Sequence, residues 1–96
     1  MDISKAIAIV SGGASGLGNA VARRVVEEGG KVAILDVNED QGIAAAEALG
    51  SSALFIQTDV SSEDEVNAAV SRASNAFGTV TFCVNCAGIL GAGRVL

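Results

Sequence analysis

The segment Ile7-Ala8-Ile9-Val10-Ser11-Gly12-Gly13-Ala14-Ser15-Gly16-Leu17-Gly18 decides how this chain folds. An uncharged apolar run stops at a glycine-rich turn, and an amphipathic pattern starts directly behind it. A strand passing through such a turn into a helix aims several backbone N–H groups at one point, and the helix dipole adds partial positive charge there. That point attracts a phosphate. Each glycine has its own expected task. Gly12 permits the tight turn, Gly16 lets the backbone come close to a diphosphate, and Gly18 lets helix and strand pack closely. The spacing G-x-x-x-G-x-G differs from the better-known G-x-G-x-x-G. A P-loop is a poor match as well: Gly13 and Gly18 have its glycine spacing, but Asn19 and Ala20 stand where Lys and Ser/Thr belong. A glycine-rich turn that binds nothing is the competing reading, and residues further along weigh against it.

Working outward, the chain alternates apolar runs with amphipathic stretches. The strand candidates are Ala6–Val10, Lys31–Leu35, Ala53–Gln57 and Val80–Val84. Each is a short continuous apolar run, as expected for strands covered on both faces. The first helix is expected from about Gly16 to Glu28, with Leu17, Val21 and Val25 on its inner face and Gly29-Gly30 closing it. The second starts behind Asn38 as N-cap and ends near Gly50. The third has a Ser62/Glu65 capping box, a stripe of Val66, Ala69, Val70, Ala73 and Phe77, and a stop at Gly78. This order predicts a Rossmann-type α/β fold: a parallel sheet with right-handed crossovers, strand order 3-2-1-4 and flanking helices. Ligands in such sheets bind outside the carboxyl ends of the strands, so functional residues should follow the strands.

They do. Asp36 ends the second strand about 20 residues beyond the glycine turn, where an acidic side chain accepts hydrogen bonds from the adenosine ribose of NAD. Val37, beside it, belongs to the same expected binding set. No Lys or Arg lies between Ser11 and Asn19 or next to Asp36 to receive a 2′-phosphate, which favours NAD over NADP. A plain turn-forming Asp is the alternative. Asp59-Val60 follows the third strand: Asp59 either accepts the adenine amino group, with Val60 packing beside it, or caps a helix starting at Ser61 or Ser62. Asn85-Cys86-Ala87-Gly88 follows the fourth, where small residues let the backbone run close past the adenosine, or simply end a strand. Cys83 and Cys86 form a C-x-x-C that spans a strand and its end. Residues three apart there face opposite ways, which argues against a redox pair, and the absence of His argues against zinc. With no His, a Ser-His-Asp hydrolase is excluded within this sequence.

Composition agrees with a compact α/β chain. Of the 96 residues 50% are hydrophobic and only 3% aromatic, with 12 Gly and no Pro, the material of close-packed strands and helices. The net charge of −5 without a basic cluster argues against nucleic acid and anionic membrane partners. The apolar runs are strand-sized, and no basic segment followed by an apolar one opens the chain. A cytoplasmic protein is expected, with the mitochondrial matrix as the alternative, and residues 1–96 read as one domain.

Together, Ser11-Gly12-x-x-x-Gly16-x-Gly18, Asp36, Asp59-Val60 and Asn85-x-Ala87-Gly88 resemble the short-chain dehydrogenase/reductase family over essentially the whole chain. Within that family the glycine run and Asn85-Cys86-Ala87-Gly88-Ile89 are similar to members acting on 3-hydroxyacyl-CoA, which commonly carry Cys where most relatives have a second Asn. The resemblance implies that Ser15, Leu17, Asp36, Asp59, Val60 and Cys86 contact NAD, that the substrate is a small molecule such as an acyl-CoA, and that the enzyme is a homotetramer. The family's catalytic Ser and its Tyr-x-x-x-Lys pair fall beyond the equivalent of Leu96, and this sequence has no Tyr. The expectation is therefore the cofactor-binding first part of a longer enzyme, an incomplete doubly wound fold without catalytic residues of its own.

Overall fold

A computed structural model describes residues 5–12 and 16–85. Four parallel strands form one sheet: β1 (Ile7–Ser11), β2 (Lys31–Asp36), β3 (Ala53–Gln57) and β4 (Phe82–Asn85). Their spatial order is β3-β2-β1-β4, the expected one. Between them run α1 (Gly16–Glu27), α2 (Glu39–Leu49) and α3 (Glu63–Phe77), and a single 3-10 turn at Gly50–Ser52 joins α2 to β3. The strands begin and end within two residues of the expected bounds.

Side chains alternate across each strand, and here both faces are buried. Ala8, Val10, Val32 and Ile34 face α1 and α2, where they meet Ala22, Val25 and Ala45. Ile9, Ala33, Leu35 and Ile56 face α3, where they meet Ala69 and Ala73. This is the doubly wound arrangement, and it explains why β1 and β2 read as continuous apolar runs. Leu17 is a correction to the expected α1 stripe. It is 72% exposed, and the buried face is formed by Gly18, Ala22 and Val25. Gly18 has no side chain, so the helix comes to the sheet along that line and turns Leu17, about 100° around the axis, to the outside.

The helix ends follow from local chemistry. The N–H groups of Gly29 and Gly30 donate to the carbonyls of Val26 and Val25 at 3.0 and 2.9 Å, closing α1 with a Schellman pattern. Asn38 Oδ1 accepts from the Gln41 N–H at 2.9 Å to start α2, and Ser62 Oγ accepts from the Glu65 N–H at 3.3 Å to start α3. The capping box is otherwise changed. The Ser62 N–H donates to the Asp59 carbonyl at 2.9 Å, so the Glu65 carboxylate reaches past it to the Asp59 N–H at 2.8 Å. Gly42, inside α2, packs directly against the Phe55 ring of β3, and a Cβ there would overlap that ring.

Candidate functional site

Parallel strands bring their carboxyl ends to one edge of the sheet, and the loops that leave them open a cleft of about 220 Å³ there. It is lined by Gly12, Leu35, Asp36, Val37, Thr58, Asp59 and Val60. Five of these seven were expected site residues, drawn from three separate stretches of sequence; Leu35 and Thr58 were not. Gly12, at φ 71, donates its N–H to the Leu35 carbonyl at 2.7 Å, which carries the β1–β2 ladder one step into the turn. The Thr58 N–H donates to the Asp36 carbonyl at 3.0 Å and ties the exit of β3 to that of β2. Thr58 is buried and its hydroxyl donates to the Ile56 carbonyl at 2.9 Å.

The two carboxylates are held in different ways. Asp36 is half-buried, and its Oδ1 accepts from the Asn38 N–H at 3.0 Å. That bond shapes the turn that also places Asn38 to cap α2. Val37, exposed in between, offers its carbonyl to the Gln57 side-chain amide at 3.2 Å, so the end of β3 braces the loop behind β2. Asp59 is exposed, and its Oδ1 accepts both the Ser61 N–H at 2.9 Å and the Ser61 hydroxyl at 2.6 Å. These bonds, the hydroxyl first, hold its carboxyl below the ordinary value. Asp59 does not cap α3 itself, since Ser62 is the N-cap and the helix starts at Glu63. The sequence therefore located Asp59 but not its bonding. A Glu three residues into a helix signals a bond back to the N-cap, and spacing cannot show that the N-cap N–H is already occupied.

Of the glycine-rich stretch, Gly12 lines this cleft. Gly16 opens α1 at φ +54, and a Cβ built on it would meet nothing within 4 Å. The backbone conformation, not crowding by protein, is what favours glycine at this position. Gly18 is buried against the sheet and Leu17 stands exposed next to it. β4 runs in register with β1, Asn85 opposite Ser11, so its end lies abreast of the end of β1 on the side away from β2. Ser15, Cys86, Ala87 and Gly88 lie outside the described residues. Cys83 packs on the α3 side of the sheet, where burial pushes its thiol up. Among the described residues, the cleft lining thus carries two carboxylates and no Lys or Arg. Carboxylates accept and do not donate, which suits a ligand that presents hydroxyl or amino hydrogens.

The family model described as short chain dehydrogenase matches residues 6–96. The chain belongs to that family. Human 3-hydroxyacyl-CoA dehydrogenase type-2 is 45% identical over 83 residues, 86% of this chain and 32% of the relative. A 2,5-dichloro-2,5-cyclohexadiene-1,4-diol dehydrogenase of Sphingobium indicum is 46% identical over 87 residues, 88% of this chain and 35% of the relative. The crystal structure of a short chain dehydrogenase from Bacillus anthracis superposes with a TM-score of 0.84 at 24% identity, covering 91% of this chain and 36% of the other. The chain thus spans about a third of the length of the curated relatives it matches. Its fold is that of the family, its relatives are dehydrogenases, and the family and fold together imply a nicotinamide dinucleotide as cofactor. Among the described residues, no helix is long and apolar enough to cross a membrane.

Proposed function

We propose that this short chain dehydrogenase segment binds NAD, in preference to NADP, as the cofactor part of an enzyme that oxidises 3-hydroxyacyl-CoA to 3-oxoacyl-CoA. The observation that carries the reading is the meeting of Gly12, Asp36 and Asp59, from three separate strand ends, in one cleft. Asp36 accepts hydrogen bonds from the adenosine ribose hydroxyls, with Val37 beside it. Asp59 accepts from the adenine amino group, with Val60 packing against the base. Backbone N–H groups near Gly12, Gly16 and Gly18, together with Ser15, take the diphosphate at the start of α1. Leu17 and the Asn85-Cys86-Ala87-Gly88 segment flank the remaining ribose. A 2′-phosphate would meet the Asp36 carboxylate in a lining whose described residues include no cation, a like-charge approach that disfavours NADP.

When bound, NAD supplies the hydride acceptor. The residues of this segment hold and orient it. Among these 96 residues there is no Tyr, the residue to which the family resemblance assigns the transfer of the hydroxyl proton. The same absence favours a second reading, a nucleotide-binding module without activity of its own. The acyl-CoA substrate rests on likeness to the human relative; the Sphingobium relative is about as similar and is named for a diol. A homotetramer and a cytoplasmic or mitochondrial-matrix location belong to the same proposal.

Calorimetric titration with NAD, NADP and S-adenosylmethionine tests the cofactor. NAD is expected to bind tightest, and tighter binding of either rival overturns the reading. NADH formation with 3-hydroxyacyl-CoA tests the substrate. Turnover of a different secondary alcohol alone removes the CoA assignment and leaves the NAD one standing.

A further inference from the structure

All three polar groups of Asp59 bond to the segment 61–65 that starts α3, the carboxylate through Oδ1 alone. Its carboxylate accepts from Ser61, its carbonyl accepts from the Ser62 N–H, and its N–H donates to Glu65 Oε1 at 2.8 Å. The last bond is the unusual one. Asp59 is the second residue after β3 and its N–H has left the sheet ladder, so a side chain must satisfy it or leave it to water. Glu65 reaches it because the Ser62 N–H, the ordinary partner of a capping-box carboxylate, is already taken by the Asp59 carbonyl. The carboxylate of Glu65 thus fixes the peptide plane that enters Asp59, while Ser61 fixes the rotamer that leaves it. Between them they determine where Asp59 points in the cleft it shares with Val60 and Thr58.

We infer that Glu65 is a positioning residue for the adenine end of the cofactor site, acting through the backbone of Asp59. It touches no ligand itself. This inference rests on the proposed role of Asp59 toward the adenine amino group. A charge-assisted bond to a backbone N–H is stronger than a neutral one and preorganises its partner, so removing it leaves Asp59 to sample orientations that miss the base. The loss falls on one atom of the ligand, the exocyclic nitrogen.

Nicotinamide hypoxanthine dinucleotide, which carries oxygen in place of that amino group, isolates the effect. Affinities for NAD and for this analogue are measured by calorimetry on the full chain and on the Asp59→Ala, Glu65→Ala and Glu65→Gln variants, with thermal denaturation run alongside. The unmodified protein is expected to prefer NAD by about tenfold, the equivalent of one well-placed hydrogen bond. Asp59→Ala should abolish the preference. Glu65→Ala should reduce it to about twofold, and Glu65→Gln, whose amide oxygen can still accept from the Asp59 N–H, should restore it. A merely structural role for Glu65 would lower the melting temperature and leave the ratio of the two affinities unchanged. A preserved preference in Glu65→Ala beside a lost one in Asp59→Ala overturns the inference alone. Absence of any preference in the unmodified protein, or of NAD binding, overturns the Asp59 reading and the inference with it.

Discussion

At the scale of single residues, the cleft separates two acidic side chains by how they are bonded. Asp59 receives two hydrogen bonds from Ser61, and these favour its ionised form. Ser61→Ala removes the larger cause, so the Asp59 carboxyl should move back up toward its ordinary 3.8, observable by NMR titration of its side-chain carboxyl carbon. The sign of the linked stability follows. A depressed folded-state pKa contributes stability above the unfolded value and loses it as pH falls through the folded one. The difference in stability between the parent and Ser61→Ala should therefore be full at neutral pH and shrink below about pH 4. Asp36 leads to a different measurement. If its carboxylate holds the ribose, Asp36→Asn replaces charge-assisted bonds with neutral ones and should weaken NAD by about tenfold or more. The same change should weaken NADP less, because it removes the repulsion. Calorimetry with both nucleotides reads that ratio, and equal losses would argue against the ribose role.

At the scale of elements, α2 is held to β3 by a glycine whose purpose is contact. Gly42 lies mid-helix, where glycine costs up to about 1 kcal/mol relative to alanine. The Phe55 ring occupies the space a Cβ would need. Gly42→Ala should therefore gain helix propensity and lose more to overpacking, about 1–3 kcal/mol for displaced core side chains. A net destabilisation of about 1 kcal/mol is expected from chemical denaturation. In a Phe55→Ala background the same substitution should turn stabilising, because only the propensity gain remains. A Gly42→Ala effect of equal sign and size in both backgrounds would show that the ring and the helix are not coupled. The braces on the site loops belong to this scale too. Gln57 at the end of β3 holds the Val37 carbonyl, and Glu65 in the first turn of α3 holds the Asp59 N–H. Each loop is tied by a side chain from an element other than the strand it leaves.

At the scale of the whole molecule, the sheet is buried from the middle outward. Ala8, Val10, Val32, Ala33 and Ile34 are fully inaccessible, whereas in β3 only Ile56 is buried. Opening the centre requires losing both helix layers, while β3 has a strand neighbour on β2 and no second one among the described residues. Amide hydrogen exchange followed by NMR should therefore be slowest in Ala8–Val10 and Val32–Leu35 and measurably faster in Leu54–Ile56. Equal protection across the three strands would mean that the sheet opens only as one unit.

The alternation of strands and helices, the strand order, and the placing of Gly12, Asp36, Val37, Asp59 and Val60 at strand ends were all legible in the sequence. They depend on local matters: apolar run length, cap residues and glycine at a turn, joined by the rule that parallel crossovers are right-handed. Family membership was legible in the same motifs. Tertiary structure alone decided which line of α1 meets the sheet, leaving Leu17 outside, and which donor the Glu65 carboxylate serves. It also decided that Gln57 braces Val37, that Leu35 and Thr58 complete the cleft, and that Gly42 receives the Phe55 ring. The physical reason is common to all of these. Each depends on which of several groups takes one space or one N–H, between separate elements for Leu17, Gln57, Leu35, Thr58 and Gly42 and within residues 59–65 for Glu65, and spacing along the sequence does not settle that choice.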